Sequence, residues 1–470
     1  MVFSSLIFLF LFLPIVLGIY YVSPRKWKNL ILFAASLVFY AWGEPIYIFL
    51  MLLSTVTDYF FGLLLSKPQM TGKQRKWVVA CSLFVNIAVL AFFKYADFLI
   101  ININSLLGTV IPLTDLPLPI GISFYTFQSM SYILDIYRGT AKAQKNWIDF
   151  ATFVSLFPQL VAGPIVHYGT IAEQLRQRVE SVPMFAEGIR RFIIGLAKKV
   201  LLANNIGVVW DTVNSSDPAN LTMAMAWLGI IAFAFQIYFD FSGYSDMAIG
   251  LGLMFGFRFN ENFDRPYISR SITEFWRRWH ISLGTWFRNY LYIPLGGNRF
   301  GKWIQMRNIL IVWMLTGIWH GANWNFMFWG LYFGLLLMFE KWIGLRILDK
   351  LPKWIQHSYA LLLILVGWVL FSFEQPSEIT HYLMTMFAMN QPSLWDTEFI
   401  YLLYTNLVLF AILIVASVGS VGSVSVIRRR YPKLMGLGYK LQDVGYMLLF
   451  LMSIAYLVDA TYNPFLYFRF

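Results

Sequence analysis

The chain has five histidines, His167, His280, His320, His357 and His381, and they are its only side chains whose unperturbed titration falls near neutrality apart from Cys81. His320 is set apart by its surroundings. It stands in Thr316-Gly-Ile-Trp-His320-Gly-Ala-Asn-Trp324, and it is the one His, Asp, Glu, Lys or Arg in the 32 residues from Asn308 to Phe339. A polar group in such a run is costly and usually retained for a use. A neutral imidazole there is the form that takes a proton from a hydroxyl, which makes His320 a candidate general base. Gly317 and Gly321 beside it would let a substrate approach the backbone closely. The alternative is a buried structural histidine bonded to a carbonyl.

His280 belongs to a second constellation, Ser271-Ile-Thr-Glu-Phe-Trp-Arg-Arg-Trp-His280-Ile-Ser282. Read as one helix, it places Trp276 and His280 on one face at i, i+4 and lets Glu274 pair with Arg278. The alternative is an interfacial helix, with tryptophans at headgroup depth and Arg277 and Arg278 reaching phosphates. Downstream, Gly296 to Lys302 matches the opening of a phosphate-binding loop. Trp303 occupies the position that needs Ser or Thr, and no strand precedes the loop, so that match is discarded. A third cluster runs from Asp240 to Asp246. Asp240 and Tyr244 lie one helical turn apart, as a polar bridge between helices would require. There is no Gly-x-Ser-x-Gly elbow and no His-Glu-x-x-His motif, and the lone Cys81 allows neither a disulfide framework nor a cysteine metal site. Cys81 reads as a packed core thiol, and no metal ligand set is expected.

The elements that must position these residues are membrane helices. Of 470 residues, 59% are hydrophobic and 13% charged, against about 25% charged in an ordinary soluble domain. At roughly 20 apolar residues per span, the chain accommodates about 11 to 14 spans and no sizeable soluble domain. Uncharged runs such as Trp77–Phe93, Pro218–Phe239 and Asn308–Phe339 are apolar all round, which indicates helices and not the alternating strands of a barrel. Breaks fall at Gly43-Glu44-Pro45 and around the segment 258–307. Residues 308–340 must leave and return within about 33 residues, so short, tilted or re-entrant helices are expected there. A single span is expected over 399–420.

Charge is segregated along the chain. Lys and Arg gather at 25–28, 67–76, 138–145, 176–199, 258–307, 341–353 and 428–440, whereas connectors 101–118, 211–220 and 374–398 hold seven acids and no Lys or Arg. This distribution predicts basic loops in the cytoplasm, acidic loops outside and an external N-terminus. The net charge of +12 is then topological, and nucleic acid is not an expected partner.

Several motifs in order resemble one family. They are Met1-Val-Phe-Ser-Ser, Phe10-Leu-Phe-Leu-Pro14, Leu118-Pro-Ile-Gly-Ile-Ser-Phe124, Pro158-Gln-Leu-Val-Ala-Gly-Pro164, the dense stretch Phe263–Arg299, Gly317-Ile-Trp-His-Gly-Ala-Asn-Trp324 and Tyr467-Phe-Arg-Phe470. The chain resembles the membrane-bound O-acyltransferases, within them the bacterial alginate O-acetyltransferase branch. The resemblance implies an all-α polytopic fold of about 11–13 transmembrane or re-entrant helices, ring-like around a buried histidine. It implies one integral membrane domain over 1–470, with its motifs densest at 239–334. The family's catalytic histidine falls on His320 and its second motif histidine on His280. Asn289 stands where many members carry Asp, so no carboxylate role transfers to it.

The implied reaction moves an acetyl group from a cytoplasmic donor, acetyl-CoA or another acyl donor, toward hydroxyls of an extracytoplasmic polysaccharide, directly or through a partner protein. Asn323 and amides near Gly321 are candidates to receive the oxyanion, and Trp276, Arg277 and Arg278 to position the donor. No tightly bound cofactor is expected. The setting implied is the bacterial inner membrane. A polysaccharide or lipid-linked sugar transporter is the alternative, and it would move substrate without consuming a donor.

Overall fold

Backbone groups in lipid have no water to bond, so long apolar runs satisfy them internally as helices. The computed structural model describes residues 1–161, 163–390, 393–419 and 434–459, and these contain helices and no strand. The Tyr467–Phe470 motif and the basic residues Arg428 to Lys433 lie outside the described residues. In chain order the helices are α1 (Leu13–Val22), α2 (Arg25–Ala41), α3 (Tyr47–Leu65), α4 (Gly72–Leu107), α5 (Ile122–Arg138), α6 (Trp147–Ser155), α7 (Phe157–Leu160), α8 (Tyr168–Gln177), α9 (Val182–Ala197) and α10 (Asn204–Asn214). They continue as α11 (Met223–Met254), α12 (Ile272–Arg278), α13 (Ile281–Phe287), α14 (Lys302–His320), α15 (Trp324–Phe339), α16 (Leu345–Leu348), α17 (Lys353–Ser372), α18 (Pro376–Met386), α19 (Thr397–Thr405), α20 (Leu407–Val418) and α21 (Leu434–Asp459).

Among the described residues six helices are long and apolar enough to cross a membrane, with α9 and α10 running on through a π-helical turn at Lys198–Ala203 as one of them. Over the span expected at 399–420, α19 and α20 are together long and apolar enough to cross and are bent by 59° at their junction. The break falls at Asn406, whose Nδ2 bonds the Leu402 carbonyl of the preceding turn. Of the α14–α15 pair, where short, tilted or re-entrant helices were expected between 308 and 340, α15 is short at 16 residues, whereas α14 at 19 is as long as α3.

The chain forms two compact units. The first comprises Met1–Phe192 and Tyr244–Asn260. Its core is aromatic, with Phe3, Phe8, Phe12, Phe39, Phe157 and Phe255 buried. The buried Asp58 carboxylate accepts from Ser82 Oγ at 2.8 Å and Asn86 Nδ2 at 2.9 Å, which ties α3 to α4. Cys81, on α4, is exposed and not packed in a core. A helix bathed in lipid is apolar on its outer side as well, so apolar neighbours alone do not signal burial.

The second unit comprises Ile193–Gly243 and Glu261–Phe470. Asp240 pairs with Lys199 at 2.6 Å, with both side chains about 5% exposed or less, so this carboxylate ties α11 to the π-helical turn. Tyr244 stacks on Phe3 within the first unit. α14 and α15 form an antiparallel hairpin whose tip, residues 321–323, follows directly on His320. Gly317 and Gly330 face each other across it. A Cβ on Gly317 would collide with the Phe326 carbonyl, and one on Gly330 would lie 2.5 Å from the Trp313 carbonyl. The space beside Gly321 is filled by the Phe326 ring. These glycines therefore serve close helix packing, and the expectation that Gly317 and Gly321 open the backbone to substrate does not hold.

Candidate active site

The site is built on α12, α13 and the α14–α15 hairpin. Ser271 caps α12 by accepting the Glu274 N–H at 3.0 Å, and the helix runs only to Arg278. The i, i+4 helical face expected for Trp276 and His280 is absent, because His280 leaves the helix with φ +46° and ψ 53°. That left-handed conformation is uncommon outside glycine. It is sustained by Asn262, whose Oδ1 lies 3.1 Å from His280 Nδ1 and whose carbonyl accepts the Ile281 N–H at 2.9 Å.

His320, at the end of α14, is buried among rings. Trp319 and Trp329 lie 4.9 Å and Phe371 5.5 Å from its centroid. A cavity of about 170 Å³ is lined by both histidines, together with Trp276, Arg288, Tyr292 and Thr316. Two residues 40 positions apart thus share one small chamber. His280 Nε2 and Trp276 Nε1 are buried and make no hydrogen bond. Burial also pushes the His280 pKa down to about 3, so its imidazole is neutral.

A larger cavity of about 800 Å³ shares Trp276, Gly284, Arg288, Tyr292, Ile309 and Trp313 with the first. Its charged lining residues, Arg277, Arg288, Arg299 and Lys341, are all basic, with no carboxylate among them. Left-handed glycines at Gly296, φ +106°, and Gly297, φ +57°, turn its loop. Buried Asn308 holds that loop by donating to the carbonyls of Leu295 and Gly297 at 3.1 and 3.0 Å.

The proposed site residues are distributed unevenly. His280, His320 and Trp276 converge on the small chamber, and Arg277 lines the basic one. Arg278 turns away and pairs with Glu274 at 2.9 Å and Asp264 at 3.0 Å. Asn323 lines neither cavity, because its Oδ1 caps α15 by accepting the Trp324 N–H at 2.6 Å. Sequence reasoning missed Asn262 and Glu340. Glu340 is 1% exposed and receives the N–H groups of Ile272 and Thr273, both at 2.7 Å, so it clamps the start of α12. Its one signal was its position as the first charge after the uncharged run that contains His320. Asn262 carried none.

The family model described as MBOAT, membrane-bound O-acyltransferase family, matches residues 141–373, the segment that contains both cavities. The chain is 46% identical over 402 residues to a probable alginate O-acetylase of Azotobacter vinelandii, covering 84% of this chain and 80% of that protein. It is 34% identical over 429 residues to a peptidoglycan O-acetyltransferase of Helicobacter pylori, covering 84% and 81%. A teichoic acid D-alanyltransferase of Bacillus subtilis is 30% identical over 258 residues, or 51% of this chain and 62% of that one.

Proposed function

The chain belongs to the membrane-bound O-acyltransferase family and is a multi-pass O-acyltransferase of the membrane, and from this premise we propose that it takes an acetyl group from a cytoplasmic donor and passes it toward hydroxyls of an extracytoplasmic polysaccharide. The relatives' activities on alginate and peptidoglycan support a polymer hydroxyl as final acceptor, reached directly or through a partner protein. The segregation of charge along the connectors supports basic loops in the cytoplasm of a bacterial inner membrane.

The observation that carries this reading is the chamber lined by His280 and His320 and continuous in its lining with a basic cavity. A donor with phosphates, such as acetyl-CoA, is drawn to Arg277, Arg288, Arg299 and Lys341, and its thioester reaches inward past Trp276 and Trp313. His320 accepts the acceptor's hydroxyl proton as the oxygen attacks the thioester carbonyl. The carbonyl oxygen gains charge, and the Trp276 Nε1–H receives it, a role supported by its being a buried donor without another partner. The C–S bond then breaks, the ester remains on the acceptor, and the imidazolium returns its proton to the leaving thiolate. General-base help of this kind is worth about 10²–10⁴-fold.

The test is acetyl transfer from labelled acetyl-CoA by membranes holding wild type or His320→Ala. The substitution should lower turnover by about 10²-fold or more while donor binding persists. Undiminished transfer would remove His320 from the chemistry, and polymer export without donor consumption would favour a transporter.

A further inference from the structure

Asn262 precedes α12 in a loop and is 1% exposed. Its Oδ1 lies 3.1 Å from the Ser282 backbone N, 2.9 Å from Ser282 Oγ and 3.1 Å from His280 Nδ1. A backbone N–H can only donate, so the amide atom that faces Ser282 N is the oxygen. The reversed amide would set an NH₂ group against that N–H. An oxygen that accepts from Ser282 can bond His280 Nδ1 only if Nδ1 carries hydrogen. In a neutral imidazole the other nitrogen is then bare. That nitrogen, Nε2, is buried without a hydrogen bond on a ring that lines the chamber shared with His320. The left-handed backbone at His280 shows that the surrounding contacts, and not local preference, set the ring's place.

We propose that Asn262 is a positioning residue that fixes His280 as its Nδ1–H tautomer, so that Nε2 presents a lone pair to a hydroxyl or amide N–H of the bound substrate. His280 then cannot stabilise an oxyanion through Nε2 and does not supply a proton there. It orients a hydrogen-bond donor, and Trp276, which also lines the chamber, carries an Nε1–H that is buried without a partner. The substrate partner rests on the acyltransferase reading above. The tautomer does not.

The test uses the full chain, ¹⁵N-labelled at histidine and reconstituted in lipid vesicles, examined by solid-state NMR. His280 is identified by the signals lost in His280→Gln. The expected result is a protonated Nδ1 and a bare Nε2, and a protonated Nε2 would overturn the proposal. Asn262→Leu should abolish the preference, and an unchanged tautomer in that variant would overturn the role of Asn262.

A second comparison needs no Asn262 variant. Gln extends an acceptor oxygen to the place of Nε2, whereas Asn reproduces only the Nδ1 side. His280→Gln should therefore retain about tenfold more transfer from acetyl-CoA than His280→Asn, the worth of one good hydrogen bond, and equal losses would overturn the proposal. If His280→Asn raises the KM for acetyl-CoA, the partner is a donor amide. If it lowers kcat alone, the partner is the acceptor hydroxyl. Should wild type transfer no acetyl group at all, the functional reading fails, while the NMR signals still decide the tautomer.

Discussion

Around His320 the nearest rings are Trp319, Trp329 and Phe371, so water is displaced by aromatic edges, and the few polar atoms that remain in the chamber carry most of its specificity. Glu340 shows how such a site is held from outside the chamber. Its carboxylate satisfies two N–H groups at the start of α12, the helix that places Trp276 and leads to His280. Removing it leaves both donors buried without an acceptor, at about 1–3 kcal/mol each. Glu340→Ala should therefore lower the midpoint of thermal unfolding and depress acetyl transfer together. Glu340→Gln, which keeps one acceptor oxygen, should lie between that variant and wild type in both measurements. Equal behaviour of Ala and wild type would show that the clamp is dispensable.

At the scale of elements, the α14–α15 hairpin sets where His320 can be, because it allows backbone-to-backbone approach at Gly317 and Gly330. Gly317→Val inserts a branched side chain against the Phe326 carbonyl and must force the two helices apart. Transfer should fall at least tenfold although every polar group of the site is intact, with a lowered unfolding midpoint, since overpacking costs about 1–3 kcal/mol. Gly18→Ala in α1 is the control. A Cβ there meets nothing, so stability should hold or rise slightly by helix propensity. Unequal predictability is also clearest at this scale. The helices α4 and α11 were legible from the charge-free runs within them, because lipid demands internal hydrogen bonding. The end of α12 was not legible. A helical pattern continues through His280 in sequence, and the chain departs from it because Asn262, eighteen residues earlier, offers His280, Ile281 and Ser282 better partners than another helical turn would.

At the scale of the molecule, the net charge of +12 is not spread evenly, and part of it is concentrated as the lining of one cavity. Replacing Arg277, Arg299 or Lys341 with Gln should raise the KM for acetyl-CoA by about two- to fivefold each, in the range of exposed charge pairs, and the effect should shrink as salt rises. Arg278→Gln should change it less, since that guanidinium is engaged by Glu274 and Asp264. A KM indifferent to all four changes would show that the donor enters elsewhere. Composition and periodicity by themselves determined that the chain is a polytopic helical membrane protein, and the order of its motifs tied it to an acyltransferase family. The charge-free run also singled out His320. These features are local, because bilayer thickness and the cost of buried charge act on each segment separately. Only tertiary structure decided that His280 and His320 share one chamber, that Arg277 lines the basic cavity while Arg278 pairs with Glu274 and Asp264, and that Asn262 and Glu340 hold the site. Those outcomes depend on which remote donors and acceptors meet when the helices pack, and linear spacing carries no record of that.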